Sequence, residues 1–532
     1  MSENTYSMPP IANKEIKVES VTKRDGTLAP FDSSKIYNAI LKAGTSTAEF
    51  GEQEAWLLTA QVLKVVEHKF SETLPTIEQI QDIVEQVLIS ANYFATAKAY
   101  ILYRDQRQRT RNDQKVMVDV ESSINEYLEK LDWRVNANAN QGYSNGGLIL
   151  NVSGKVTANY WLSHVYPANV GEAHRNGDIH IHDLDMLAAY CAGWSLKNLL
   201  HEGFNGVPGK TEAGAPKHLS SAVGQMVNFM GTLQNEWAGA QAFSSVDTYL
   251  APYIRKDNMK YEDVEQCIQE LIYNLNIPSR WGSQTPFTNF TFDWVCPEDT
   301  RDKHPLIAGE EQPFTYGELK EEMHMINKAY MTVMMRGDIK GRPFTFPIPT
   351  YNMTPDFPWE DDNTELLFEM TAKYGLPYFQ NFINSVLKPG QIRSMCCRLQ
   401  LDLRELLARG NGLFGSAEQT GSIGVVTFNC ARLGYVYKGD ENALFARVDE
   451  LMDIARTSLE IKRKVIQRLI DGGLFPFTKR YLGTLRNHFS TIGVNGINEM
   501  IRNFTNDEHN IADQWGQDFA VKFLDYIRAK MV

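Results

Sequence analysis

A stretch that no folded core can absorb divides this chain. "YRDQRQRTRND", residues 103–113, sets Arg104, Arg107, Arg109 and Arg111 among polar neighbours. It follows a pattern in which Ile80, Ile83, Val84, Val87 and Leu88 recur at helical spacing, which predicts one amphipathic helix over 77–107. Upstream, "VTKRDGTLAPFDSSKIYNAILKAG" predicts a short strand, a D-G turn, a second extended piece and a helix N-capped by Asp32 or Ser33. The reading is a small α-rich module over 17–108 behind a disordered tail (1–16), then a linker over 109–140.

From 141 to 532 helical patterns alternate with Gly-, Pro- and Asn-rich loops, as in one large α/β domain. Leu444, Val448, Met452, Ala455 and Leu459 share a helix face that stops at Gly472-Gly473, and "GVVTFNCARL" reads as a buried strand. A chain of 532 residues, 43% hydrophobic and 22% charged, can bury a sizeable core. Its net charge of −12 argues against a general nucleic-acid-binding surface. No apolar run reaches the ~20 residues of a membrane span. The N-terminus is polar, and the six cysteines form no C-x-x-C. These features read as a cytoplasmic protein with reduced thiols.

Three clusters could carry chemistry. Lys23 and Arg24 in the strand-turn, with Lys35 after it, could hold a triphosphate beside exposed N–H groups and a helix N-terminus; the plain alternative is a solvated charge run. "HRNGDIHIHDLDMLAAYCAGWSL" sets His174, His180, His182, Asp183, Asp185 and Cys191 close together. H-x-H is a metal-ligand spacing on a strand. The later histidines, His488 among them, read as lying in no strand-like context with a carboxylate partner, so a polar turn before a buried strand is preferred and no metal site is assigned. "SMCCRLQLDLRELLARGNGLFGSAEQTGSIGVVTFNCARLGY" places Cys396 and Cys397 before Arg398, a Gly-rich loop and a strand. Paired cysteines are most often small buried hydrophobes. An adjacent arginine fits packing poorly, and a thiol can do one-electron chemistry, its weak S–H bond letting a radical move onto sulfur.

Residues 17–108 resemble the ATP-cone, the regulatory module at the head of many ribonucleotide reductases, through V-x-K-R-D-G, "FDSSKI" and "YILYRDQR". The resemblance places Val21, Lys23, Arg24 and Lys35 at nucleotide-contacting positions for ATP or dATP; Ala29 stands where the cone usually has an acidic residue. From about 140 onward the chain resembles the catalytic domain of the anaerobic, class III ribonucleoside-triphosphate reductases. The segments are "HRNGDIHIHDLD", "YCAGWSL", "QTPFTNFTFDW", "FPIPTYN", "MCCRL", "GSIGVVTFNCARLGY" and "STIGVNGINE".

That resemblance implies a ten-stranded α/β barrel of the glycyl radical enzyme type. It implies a thiyl radical on Cys397, or alternatively Cys396, that abstracts the 3′ hydrogen of a ribonucleoside triphosphate. Cys191 would be the second active-site cysteine and proton donor, Asn429 an amide partner of substrate or reductant, and Ser490, Thr491 and Gly493 a phosphate cradle ahead of a helix. Formate would be the reductant, a radical S-adenosylmethionine activase the partner, and a homodimer or larger assembly the working state. The family's four-cysteine zinc site and its R-V-C-G-Y type glycyl radical motif have no counterpart, since no cysteine follows Cys430. The expectation is therefore a fragment or a split subunit, needing a separate glycyl radical polypeptide and giving no glycyl signal alone. Two other classes stay open: an H-x-H metal hydrolase, marked by a bound divalent ion, and a non-catalytic ATP-binding regulator, marked by a barrel that binds no substrate.

Overall fold

The computed structural model describes residues 18, 20–22, 28–70, 73–104, 123–129, 143–281, 284–385, 392–394, 400–402 and 419–531. The chain divides into two compact units, 1–119 and 120–532.

In the first unit β1 (Ser20–Thr22) pairs antiparallel with β2 (Leu28–Pro30), Val21 opposite Ala29. The expected D-G turn lies outside the described residues. Asp32 caps the next helix, Ser33–Thr47, by accepting from Ser34 N at 3.0 Å. Helices Glu52–Lys69 and Ile77–Ser90 complete the core around Ile40, Leu58, Val62, Val66, Ile83 and Leu88. The single helix expected over 77–107 is two. It stops at Ser90, Asn92 turns the chain at φ 63°, and a second helix runs over 94–104. Asparagine tolerates the left-handed conformation. The restarted helix is held from elsewhere: Glu49 accepts from Thr96 N at 2.8 Å, and Arg104 pairs with Asp82 at 2.7 Å and Glu85 at 2.8 Å.

The second unit is built on a curled, mixed sheet. Its first strands are β3 (Ile179–Ile181), β4 (Cys191–Trp194), β5 (Gln241–Phe243) and β6 (Thr288–Phe292). After a small hairpin, β7 (Leu306–Ile307) with β8 (Glu310–Glu311), come β9 (Ile348–Met353) and β10 (Tyr378–Asn381). A second hairpin pairs β11 (Ile392–Ser394) with β12 (Gln400–Asp402), and β13 (Gly421–Asn429) and β14 (His488–Asn495) return to the sheet. Among the described residues eight strands join, in the order β10-β9-β6-β5-β4-β13-β14 with β3 against β13. The five strands from β4 to β10 are parallel, and β13 and β14 are parallel to each other. The two sets meet antiparallel at β4 and β13, Cys191 opposite Ser422.

Parallel strands need long crossovers, and helices supply them. Val246–Asp257 and Tyr261–Leu275 join β5 to β6, and Asp362–Tyr374 joins β9 to β10. These helices cover one face of the sheet, where Trp194, Phe243, Phe290, Phe292 and Tyr351 enter the core. Helix Glu441–Asp471 ends at Gly472 as expected, and Leu444, Val448, Met452, Ala455 and Leu459 are buried along it. Residues 123–128, within the stretch read as linker, are helical, and Tyr127 donates to Ser144 O at 3.1 Å.

His488 corrects the sequence reading. It opens β14, is buried against Trp237 with ring centroids 5.3 Å apart, and neither ring nitrogen has a hydrogen-bond partner. Burial, helped by Arg463, holds its pKa down to about 3. The folded pKa is below the unfolded value of 6.5, so the stability held in neutral His488 is complete above pH 6.5. It is lost as pH falls from 6.5 toward 3. His174 and His182, each lowered to about 4 chiefly by burial, act in the same direction. Urea titrations at pH 7 and pH 5 should show a drop in unfolding midpoint that is smaller in His488→Phe. An equal drop in both proteins would remove His488 from the account.

Candidate functional site

Strand residues alternate between the two faces of a sheet. The register therefore sorts this sheet into an aromatic outer face and a polar inner one. Asn289 of β6 lies beside Ile348 of β9, and Thr291 beside Thr350. Thr350 and Asn352 lie beside Tyr378 and Gln380 of β10. On the other side Asn289 neighbours Ala242, which neighbours Gly193, so Cys191 shares their face. Asn289 donates to Ile348 O at 2.8 Å. Its Oδ1, the Thr291 hydroxyl, Asn352 Oδ1 and Gln380 Nε2 are all buried without a partner among the described residues. Four buried polar atoms left unmatched on one face of a sheet fit a ligand or water-lined interior.

Cys191 is fully buried at the seam between the two strand sets. Gly239 has no side chain where Cys191 Sγ and the Tyr190 ring would stand 2.9 Å and 2.8 Å from its Cβ. Behind Cys191 lie charges that the sequence reading did not single out as functional. Lys462, from helix Glu441–Asp471, is 2% exposed, and Arg280 is 5% exposed. Arg280 donates through Nη2 to Ala238 O at 2.9 Å. Burial lowers the Lys462 ammonium against the pull of Asp183, Asp185 and Cys191, and lowers Arg280 to about 10. Burial also raises both Asp183 and Asp185, the charge of Asp183 adding to the rise at Asp185. A signal for Lys462 was legible. It sits between Leu459 and Ile466 at core spacing on the helix, where a lysine is out of place.

The expected site residues fare differently. Cys396 and Cys397 fall between β11 and β12, in residues outside those described. Asn429 ends β13 and uses both ends of its amide locally: Oδ1 accepts from Arg432 N at 3.1 Å, and Nδ2 donates to Gly177 O at 2.9 Å. Ser490, Thr491 and Gly493 are not at a helix start. They lie inside β14, and the helix that follows opens at Ile497. Ser490 accepts from Arg463 at 3.0 Å, and Thr491 meets Ser422 hydroxyl to hydroxyl at 2.9 Å. Gly493 faces Thr427, whose hydroxyl meets His182 Nε2 at 2.8 Å. In the first unit Val21 belongs to the core, while the side chain of Lys35 is 80% exposed, 3.9 Å from Asp32. Lys23 and Arg24 lie outside the described residues. The His180 ring lies tilted to that of His174 and edge-on to that of His182, with centroids 5.4 Å and 4.6 Å apart. No group of three potential metal ligands occurs among the described residues.

Residues 137–532 match the family described as anaerobic ribonucleoside-triphosphate reductase, and residues 19–109 match the ATP cone domain. The chain is 27% identical over 478 residues to the anaerobic ribonucleoside-triphosphate reductase of Salmonella typhimurium, covering 82% of this chain and 62% of that one. Its Escherichia coli counterpart is 25% identical over 471 residues, with the same coverage. The chain thus spans 62% of the length of these relatives. Among solved structures, the anaerobic ribonucleotide reductase of Thermotoga maritima in complex with dATP and CTP aligns at a TM-score of 0.60. That alignment has 20% identity and covers 79% of this chain and 74% of the other.

Proposed function

The chain belongs to the anaerobic ribonucleoside-triphosphate reductase family and carries an N-terminal ATP-cone, and on that premise we propose that it reduces ribonucleoside triphosphates to 2′-deoxyribonucleoside triphosphates with formate as reductant. The observation that carries the reading is the position of Cys191, buried on the same polar face of the sheet that carries the unmatched Asn, Thr and Gln atoms. The family's glycyl radical supplies the one-electron oxidation from which the chemistry starts.

This chain's own residues would do the rest. Cys397, or Cys396 in its place, would as a thiyl radical take the hydrogen atom from the 3′ carbon, the C3′–H bond giving way to S–H and the radical passing to carbon, which loosens the 2′-hydroxyl. Cys191 gives that hydroxyl its proton, so that water departs. Asn289 Oδ1 and Asn352 Oδ1 can accept from ribose hydroxyls, and the Thr291 hydroxyl and Gln380 Nε2 can donate to a ribose or a small carboxylate. Ser490, Thr491 and Gly493 stay candidates for phosphate contact, through strand hydroxyls rather than a helix start. Asn429 stays a candidate for substrate contact only where its local bonds give way. ATP and dATP act at the cone through Val21, Lys23, Arg24 and Lys35, and working assemblies are homodimeric or larger.

One anaerobic assay tests both units. It contains the activase, S-adenosylmethionine, formate, a ribonucleoside triphosphate and a polypeptide bearing the family's glycyl radical motif, so that radical supply is not limiting. Deoxynucleotide should form together with carbon dioxide from labelled formate, and dATP should suppress both. Lys23→Ala with Arg24→Ala should weaken dATP binding tenfold or more per lost contact, each charge-assisted bond contributing roughly 1.5–3 kcal/mol. Deoxynucleotide without labelled carbon dioxide would remove formate from the proposal. Unchanged dATP affinity by calorimetry would remove the cone assignment.

A further inference from the structure

The loop between β3 and β4 spans the stretch of β13, residues 423–425, that lies between the pairings with those two strands. His182 N donates to Val425 O at 3.0 Å, and Tyr190 N donates to Ile423 O at 3.2 Å. The residues between them, with Asp183 and Asp185, therefore arch across Gly424. That glycine leaves room for Lys462: a β-carbon there would stand 3.1 Å from Lys462 Cδ and 3.3 Å from its Nζ. The lysine side chain lies against this glycine from the helix packed on β13. Two residues back along β13, Ser422 pairs with Cys191. Asp183 holds its loop at φ 54°, a conformation that costs energy in a non-glycine residue, and its buried Oδ2 has no hydrogen-bond partner. The Nε of Arg280 is likewise buried and unmatched. The charged and titratable groups around Lys462 are then Asp183, Asp185, Cys191 and His182, with Arg280 facing the same two aspartates.

From this arrangement we infer that Lys462, Asp183 and Asp185 share protons with the Cys191 thiol, Arg280 supplying a fixed positive charge, and that Lys462 is a positioning residue that sets where the proton resides. Two cations and two carboxylates balance in charge. Any proton leaving the thiol changes the field at Lys462 and Arg280, and through these two cations at the aspartates they face, in a water-poor interior. The functional consequence rests on the proposed role of Cys191. When its S–H bond breaks and the proton joins the departing hydroxyl as water, a proton from the cluster returns to sulfur. The net step moves one proton from the cluster to the leaving oxygen, with no electron transferred. A purely structural cluster would pin the helix to the loop and leave the thiol alone.

Infrared spectroscopy of the whole chain separates the two. The S–H stretching band of Cys191, assigned by its loss in Cys191→Ser, is followed against pH beside the C=O band of protonated aspartic acid. In Lys462→Met the midpoint of the S–H band should rise by roughly one to three pH units, because a cation that favours the thiolate is gone. A change confined to the carboxyl band, with the S–H midpoint unmoved, would overturn the proposal. Should Lys462→Met not fold, Cys191→Ser gives the reciprocal reading, since coupling works in both directions. The carboxyl titration must then move when the thiol is removed, and an unchanged titration overturns the proposal equally. Full turnover by Cys191→Ser would sink its role as proton donor while leaving the coupled titration standing, so the two failures are distinguishable.

Discussion

Serine at position 397 is expected to bring nucleotide reduction to background while ATP binding and the melting temperature stay at parental values. An O–H bond is too strong for a radical to pass onto the side chain, and serine is otherwise a near-isostere, so only the one-electron step is lost. Resemblance to the family, whose pattern keeps the cysteine directly before an arginine, is the ground for proposing Cys397 over Cys396. Cys396→Ser should keep turnover. Cys191→Ser should lose about 10²- to 10⁴-fold, because a hydroxyl is far too weak an acid to protonate the leaving group. Loss in Cys396→Ser with full turnover in Cys397→Ser would exchange the two assignments. Turnover in both single variants would remove thiyl chemistry from this segment.

The largest expected effect on stability is at Asp247. Its fully buried carboxylate accepts four hydrogen bonds: Thr248 N at 3.0 Å, Asp293 N at 2.9 Å, Trp294 N at 2.8 Å and Asn327 Nδ2 at 3.0 Å. It thereby fixes a tight turn at the end of β6, where Trp294 sits at φ 62°. The neighbouring Asp293 accepts from Thr248 at 2.6 Å and from Asn352 at 2.9 Å, tying the turn to the inner face. Burial raises the pKa of Asp247 while these donors oppose the rise. Asp247→Ala strands several buried donors at once and should cost about 3–5 kcal/mol, read as a large fall in the denaturant midpoint. The control is Asp449→Ala, which removes a half-exposed partner of Lys530 and Tyr526 and should cost less than about 1 kcal/mol. Equal losses at the two positions would show that the Asp247 network is not what holds the turn.

Periodicity and punctuation carried the elements. The heptad-like face from Leu444 to Leu459, the stop at Gly472 and the cap at Asp32 all stand where local chemistry puts them. The ordered motifs carried the family, and through it the barrel class. Asn429 and the Ser490–Gly493 segment show the limit of motif reading. A motif preserves residue identity, but whether an amide or a hydroxyl is spare depends on what surrounds it. Here Asn429 caps a helix and Thr491 bonds Ser422 across strands.

By itself the sequence determined two units, the strand and helix periods, and the set of thiols available for chemistry, because these depend on neighbours a few residues apart. Only the tertiary structure decided three other things. It broke the helix at Asn92, since Glu49, over forty residues earlier, caps the restart at Thr96. It buried His488 as a neutral ring inside β14. It also set Lys462 against Gly424, within the field of Asp183, Asp185 and Cys191. Each of these sets a group's charge or bonding by residues distant in the chain, and long-range burial and Coulomb interactions have no local signature to read.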